Sequence, residues 1–243
     1  MRRSTRFAAL TLLLAASAHA QDERAVSSPD GALVFRAFIA QPADGRLFRL
    51  AYDIQLHGKL LIDTSFLGLE IRDQEPVLGE NIGLTTASIS RHGPYNSLLA
   101  EYMQNGSIGR RINLEVRVWN DGVAFRYVIP RSTPLQEIRI DDEDTEFHLP
   151  RDAEVSPGPR LALPATLQPS PTVWITLQES VAAPYPRSYL VPAAPGTWIT
   201  HLDAPPGISP PFEGTTPWNS PWRILTISPQ ASPLPPAWLR ELR

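Results

Sequence analysis

Asn113 to Ile129 reads NLEVRVWNDGVAFRYVI, and its pattern decides the fold class. Leu114, Val116 and Val118 alternate with Glu115, Arg117 and Trp119. Asn120-Asp121-Gly122 then interrupts, and Val123, Phe125 and Tyr127 resume the alternation beyond it. Successive side chains of a strand point to opposite faces, so this is a half-buried strand, a tight turn and a second half-buried strand. Asp-Gly between two such runs is a strong short-range hairpin signal.

Outward from the hairpin the same pattern recurs. Ala32 to Phe38, Leu47 to Leu56, Phe66 to Arg72, Leu98 to Met103 and Ile138 to Leu149 read as short strands separated by Gly, Pro, Asn and Asp. No dozen-residue window carries a stripe at i, i+3, i+4 and i+7, so little helix is expected. The second half obeys different rules, because twenty of the 26 prolines lie at or after Pro150. Thr172 to Gln178, Thr197 to Leu202 and Trp222 to Ser228 still read as strands there. Proline cannot donate to a ladder, so they should be short or lie at edges. A disordered linker is the alternative for this half. Trp174, Trp198, Trp218, Trp222 and Trp238 argue against it, being too many large apolar groups for a chain that buries nothing.

Arg2, Arg3 and Arg6 precede the apolar run Phe7 to Ala16, and Ala18-His19-Ala20 gives a small-x-small cleavage pattern. Residues 1–20 therefore read as a secretory signal, and residues 21–243 as one exported, periplasmic or secreted domain without a membrane anchor. Removing the signal takes three of the 22 Lys+Arg and leaves a net charge of −6. No basic stretch could follow a phosphate backbone, which excludes nucleic acid as the expected partner. The absence of cysteine excludes disulfide staples, thiolate nucleophiles and Cys-ligated zinc, so an ordinary apolar core must hold the fold.

A series of phrases gives the chain a family likeness. Ser28-Pro-Asp-Gly31, Leu67-Gly-Leu-Glu-Ile71, Arg91-His92 to Tyr95-Asn96 and Asp121 to Tyr127 come first. Asp142 to Phe147, Ile175 to Leu190 with Glu179 and Tyr185-Pro186, and Ser220-Pro-Trp-Arg223 follow in order. Together they resemble the N-terminal domain of glycoside hydrolase family 97. The resemblance implies an all-β fold, an antiparallel β-supersandwich of the galactose-mutarotase-like kind, which agrees with the strand reading. In that family the domain precedes a (β/α)8 barrel that holds the catalytic carboxylates and acts on α-glucosides or α-galactosides. The sequence ends at Arg243, where such a barrel would begin. Glycoside cleavage needs two positioned carboxyl groups, so hydrolysis is not expected from these residues alone.

The resemblance also implies a metal position. Glu179 matches a glutamate that the family domain lends to a calcium ion at the barrel's active site. Calcium takes six to eight oxygens, so any such site is incomplete in this chain. The acidic run Asp141, Asp142, Glu143, Asp144 and Glu146 lacks the spacing of a calcium loop and reads as a solvated strand entry. Tyr185, Trp218 and Trp222 are candidates for a sugar-stacking face or a domain interface, because flat rings with a polar edge suit sugars. Glu179, Tyr185 and Trp218 are expected to form an open patch. The function that follows is a non-catalytic domain that binds carbohydrate of the α-glucoside or α-galactoside type, or supports its chemistry. The alternative is a truncated or split hydrolase that acts with a separately encoded barrel chain, or a domain that self-associates. A mutarotase-type epimerase using His57, His92, His148 or His201 is a lesser alternative, since no epimerase phrase surrounds any of them.

Overall fold

The computed structural model describes residues 21–106, 108–150, 154–155, 159–181, 183–231 and 234–242. The proposed signal, residues 1–20, lies outside the described residues. Among the described residues three antiparallel sheets account for the fold.

The hairpin forms as read. Arg111–Trp119 pairs with Gly122–Ile129, with Val118 opposite Val123 and Val116 opposite Phe125. Leu114, Val116, Val118, Val123, Phe125 and Tyr127 all point inward and are buried. The hairpin lies in the middle of a nine-stranded sheet. That sheet runs through Glu154–Val155, Ala165–Ser170, Val173–Glu179, Arg223–Ser228, Gly122–Ile129, Arg111–Trp119, Asn96–Gln104 and Ile82–Arg91, and Trp218–Asn219 also pairs with the second hairpin strand. An eight-stranded sheet packs against its inner face. Its order is Gln21–Ser27, Leu33–Ala40, Arg49–Leu56, Lys59–Phe66, Glu146–His148, Thr197–Leu202, Ser188–Ala194 and Leu161–Ala162. Phe125 of the first sheet meets Tyr52 and Phe35 of the second at centroid distances of 5.1 and 5.8 Å, and Phe35 stacks on Tyr52. Face-to-face sheets share one core of interdigitated inward side chains, and these rings are its centre. A four-stranded sheet, Phe212–Thr215, Glu137–Glu143, Leu69–Ile71 and Gln74–Leu78, closes one end.

The proline-rich half is ordered into this scheme and is no linker. It contributes strands to all three sheets, including Val173–Glu179 and Arg223–Ser228 beside the hairpin. Two stretches read as single strands are each divided between sheets. Phe66 to Arg72 breaks at Leu67-Gly68, where the chain passes from the eight-stranded to the four-stranded sheet. A β-carbon on Gly68 would lie 2.8 Å from Val77 and 2.9 Å from Arg49, so a glycine is needed at that crossing. Ile138 to Leu149 breaks at Asp144-Thr145 and crosses back.

A short 3-10 helix, Ala237–Leu242, covers one end of the outer face of the nine-stranded sheet. Trp238 stacks on Trp119 at 4.2 Å and donates from its indole nitrogen to Asp121 Oδ1 at 2.7 Å. The hairpin glycine acquires a second meaning here. Gly122 does not adopt positive φ, but a β-carbon on it would lie 2.5 Å from the Trp238 ring and 2.8 Å from the Leu225 carbonyl. It is small because a tryptophan lies on it.

Candidate functional site

The chemistry-bearing residues converge where the three sheets meet. Val173–Glu179 ends in Glu179, its neighbour Arg223–Ser228 begins with Arg223, and the Glu137–Glu143 strand of the small sheet ends in Glu143. Ladder pairing sets Glu179 opposite Arg223. The Arg223 guanidinium is buried and forks onto Glu143, with Nε 2.8 Å from Oε1 and Nη2 2.5 Å from Oε2. Its Nη1 donates to Glu179 Oε2 at 2.6 Å.

Every remaining acceptor position in this cluster is taken. Glu143 Oε1 also accepts from Thr145 Oγ1 at 2.7 Å, and Oε2 from the Tyr185 hydroxyl at 3.1 Å. Tyr127 shares a hydrogen bond with Thr145 at 2.7 Å and accepts from the Gly68 amide. Glu179 Oε1 accepts from the Ser188 amide at 3.1 Å and pairs with Arg187 Nε at 3.2 Å, while Oε2 takes the Ser188 hydroxyl. Four donors per carboxylate fill its lone-pair directions, which is the condition for holding such charges in a low-dielectric interior.

The titration shifts agree with this picture. Burial tends to lower the Arg223 guanidinium, but the charge of Glu143, its hydrogen bonds and Glu179 outweigh that, and the group ends above its ordinary value. Burial, then the neighbouring Glu143, raises the Tyr185 phenol, and the same two influences raise Tyr127. Both phenols therefore stay protonated and serve as donors.

The sequence-derived candidates are placed as follows. Glu179 and Tyr185 do come together, bridged by Arg223 and Glu143. They do not form an open patch, because the Glu179 side chain is 2% exposed and Tyr185 7% exposed. Trp218 is half-buried, with its ring 5.3 Å from both Tyr185 and Phe212. Trp222 lies apart, 5% exposed among Trp119, Ala124, Ile224 and Trp238. Neither Tyr185 nor Trp222 offers a free ring to a sugar. The donors around Glu179 also do not fit a calcium ion. Two guanidiniums already neutralise its carboxylate, and among the described residues no group of three or more His, Cys, Asp or Glu is arranged to hold a metal.

Arg223 and Glu143 are the residues that sequence reasoning missed. The acidic run does not behave as one solvated entry, because Glu143 is fully buried while Asp141 and Asp144 keep partial exposure. Strict alternation after Ile138 and Ile140 would send Asp142 inward. A register shift between Ile140 and Asp142 in the pairing with Leu69–Ile71 reverses this and turns Glu143 to the core. Asp142 instead pairs with His201 and accepts from the Leu202 amide at 2.8 Å, joining the small sheet to the Thr197–Leu202 strand.

A second polar feature lies on the outer face of the nine-stranded sheet. Strands Ile82–Arg91, Asn96–Gln104, Arg111–Trp119 and Gly122–Ile129 turn Ser88, Ser97, Asn113, Glu115, Arg117 and Arg126 outward into a groove of about 530 Å³. His92 and Tyr95, stacked at 4.6 Å, also line it.

Comparison with known proteins places this architecture. Residues 26–160, more than half of the chain, match the sequence profile of the glycosyl-hydrolase 97 N-terminal domain. The chain belongs to that family. A retaining alpha-galactosidase of Bacteroides thetaiotaomicron is 28% identical over 159 residues, covering 62% of this family 97 chain and 22% of the enzyme. A family 97 enzyme from Pseudoalteromonas sp. strain K8, solved with acarbose, superposes with a TM-score of 0.70 at 20% identity over 85% of this chain and 36% of that one. A beta-arabinopyranosidase superposes with a TM-score of 0.69 at 18% identity, over 86% of this chain and 40% of that one. The family 97 chain thus spans about a fifth of the curated relative's length and just over a third of the Pseudoalteromonas enzyme's.

Proposed function

We propose that this chain is a non-catalytic carbohydrate-binding or accessory domain of family 97 ancestry, exported through its N-terminal signal. The single observation that carries the reading is the state of its buried carboxylates. Glu143 and Glu179 are closed off by Arg223 and by filled hydrogen-bond directions, whereas glycoside cleavage needs a carboxylic acid and a carboxylate open to the sugar. The site stores rigidity where three sheets meet, and catalysis belongs to another part of the family's architecture. Family membership points the ligand class to α-glucosides and α-galactosides, in keeping with the galactosidase relative and with the panose and acarbose complexes of the solved enzyme.

A second reading, that the domain works against a separate catalytic barrel, has one observation in its favour. Beside Glu179 lies a hollow of about 400 Å³ lined by Val181, Ile224, Leu239 and Leu242, and Val181 is 72% exposed. An apolar hollow next to Glu179 suits a partner surface.

The test is direct. The purified chain should not hydrolyse aryl α-galactosides or aryl α-glucosides, while calorimetry with α-linked gluco- and galacto-oligosaccharides should detect binding. Turnover that survives repurification and is abolished by a single acidic substitution would overturn the proposal.

A further inference from the structure

The groove on the outer face of the nine-stranded sheet has a charge problem that the fold does not solve. Arg117 and Arg126 stand on neighbouring strands, and Glu115 lies between them. Arg117 Nη2 reaches Glu115 Oε1 at 3.2 Å, while Arg126 donates from Nε at 2.8 Å and lies 2.7 Å away through Nη2 to Oε2. One carboxylate therefore serves two guanidiniums. Both cations are held rigidly from beneath, with their central carbons 4.7 and 4.4 Å from the Trp222 ring centre, and Arg117 also lies over Tyr95 at 5.4 Å. Their side chains are only 22–23% exposed, so they are poorly hydrated as well as fixed. Glu101 occupies the next outward position of its strand beyond Leu99, outside the groove lining. A mature chain of net charge −6 thus carries a preformed positive spot in a polar groove.

The rest of the lining defines what belongs there. Ser88, Ser97, Asn113 and Asn219 present hydroxyl and amide groups across the floor, which suits a polyhydroxylated ring. The stacked His92 and Tyr95 wall one end, and His92 Nε2 is fixed by Ser97 Oγ at 3.0 Å. A neutral sugar covering this floor would desolvate the surplus guanidinium without pairing it, which opposes binding. A sugar bearing a carboxylate supplies the missing charge and a bidentate acceptor for the fixed fork.

We propose that the groove formed by Arg117, Arg126, Glu115, Asn113 and Asn219 is a binding site for acidic saccharides, with a uronate carboxylate seated against the two arginines. The inference rests on the accessory-domain reading above and refines its ligand from carbohydrate in general to an anionic one. Isothermal titration of the mature chain with α-linked trigalacturonate, α-linked galactotriose and sodium acetate distinguishes the cases. Trigalacturonate should bind about tenfold or more tightly than galactotriose, weaken as salt rises, and outcompete acetate at equal carboxylate concentration. Arg117→Gln should reduce trigalacturonate affinity about tenfold and abolish its preference over galactotriose, and the exposed His92→Ala, remote from the buried core, should weaken both sugars. Urea unfolding of each variant establishes that it is folded. Equal affinity for the two trisaccharides, acetate binding as tightly as the uronate, or an unchanged uronate affinity in a folded Arg117→Gln protein would each overturn the inference. If galactotriose alone binds, the inference fails and the accessory reading stands. If the uronate binds but the chain also hydrolyses aryl galactosides, the accessory reading fails and the groove assignment stands.

Discussion

Arg223→Met tests the account of the buried cluster most sharply. The substitution keeps an unbranched side chain of similar length and removes the one guanidinium that contacts both Glu143 and Glu179. Glu143 would keep Thr145 and Tyr185, and Glu179 would keep Ser188 and the half-exposed Arg187, so neither loses every donor. Each nevertheless becomes an under-compensated charge in an interior where both side chains are 2% exposed or less. Breaking a buried pair from one side costs about 3–5 kcal/mol. For a domain of this size each kcal/mol moves the melting temperature by about 2–4 °C, so the loss should be about 6–20 °C. Equilibrium urea unfolding should show a lower midpoint with an unchanged slope, since the surface exposed on unfolding is the same. The triple variant Arg223→Met, Glu143→Gln, Glu179→Gln removes the stranded charges and should recover more than half of the loss, because an apolar or neutral replacement of a whole buried pair is often close to neutral. A single-variant loss below about 1 kcal/mol, or a triple variant no better than the single, would refute the claim that this cluster is a charge-balanced unit.

Three other outcomes are expected. Gly122→Ala should cost about 1–3 kcal/mol through overpacking against Trp238 and shift tryptophan emission to the red; unchanged emission and stability would refute the claim that Trp238 dictates the glycine. Micromolar calcium should leave the melting temperature unchanged, because Glu179 is already neutralised by Arg223 and Arg187, and a saturable rise removed by Glu179→Ala would show a complete site. Burial, its largest influence, raises the Glu146 carboxyl above the ordinary 4.5, so its stabilising proton is held fully below that value and lost as pH rises through the folded one. The stability of Glu146→Gln relative to the parent should therefore rise as pH climbs from the ordinary carboxyl value through the raised folded one, and a flat difference in urea titrations would refute the assignment.

What was legible in the sequence follows from which forces act locally. The hairpin could be read because alternation and a turn are properties of neighbouring residues, and every inward position from Leu114 to Tyr127 is buried as the pattern requires. Ile82–Arg91 could not, because this edge strand is rich in Thr and Ser and mostly exposed, and a register shift between Leu84 and Thr86 breaks the alternation of its few apolar residues. The crossings at Leu67-Gly68 and Asp144-Thr145 were equally silent. A chain that stays extended while changing sheets keeps its local pattern, and only the partner strand differs.

The cluster at Glu179 shows the same limit in its strongest form. Glu143, Glu179 and Arg223 are separated by 36 and 44 residues, and each looks from its neighbours like an ordinary strand-end charge. Two facts bring them together, the ladder that sets Glu179 opposite Arg223 and the register shift that turns Glu143 inward, and neither is written in local composition. The family phrases mark the right places without saying what the residues do there. Glu179, read as a ligand for a cation, is already paired with the fixed cation of Arg223, so any metal at this position must first displace Arg187 and then share the carboxylate with a buried guanidinium. The same arithmetic applied to the outer groove gives the opposite result. Inside, two carboxylates face two guanidiniums and the charge closes; outside, one carboxylate faces two, and the imbalance is on the surface where a ligand can reach it. Binding chemistry is therefore expected where the fold leaves charge unpaired, which is the groove above Trp222 rather than the cluster around Glu179.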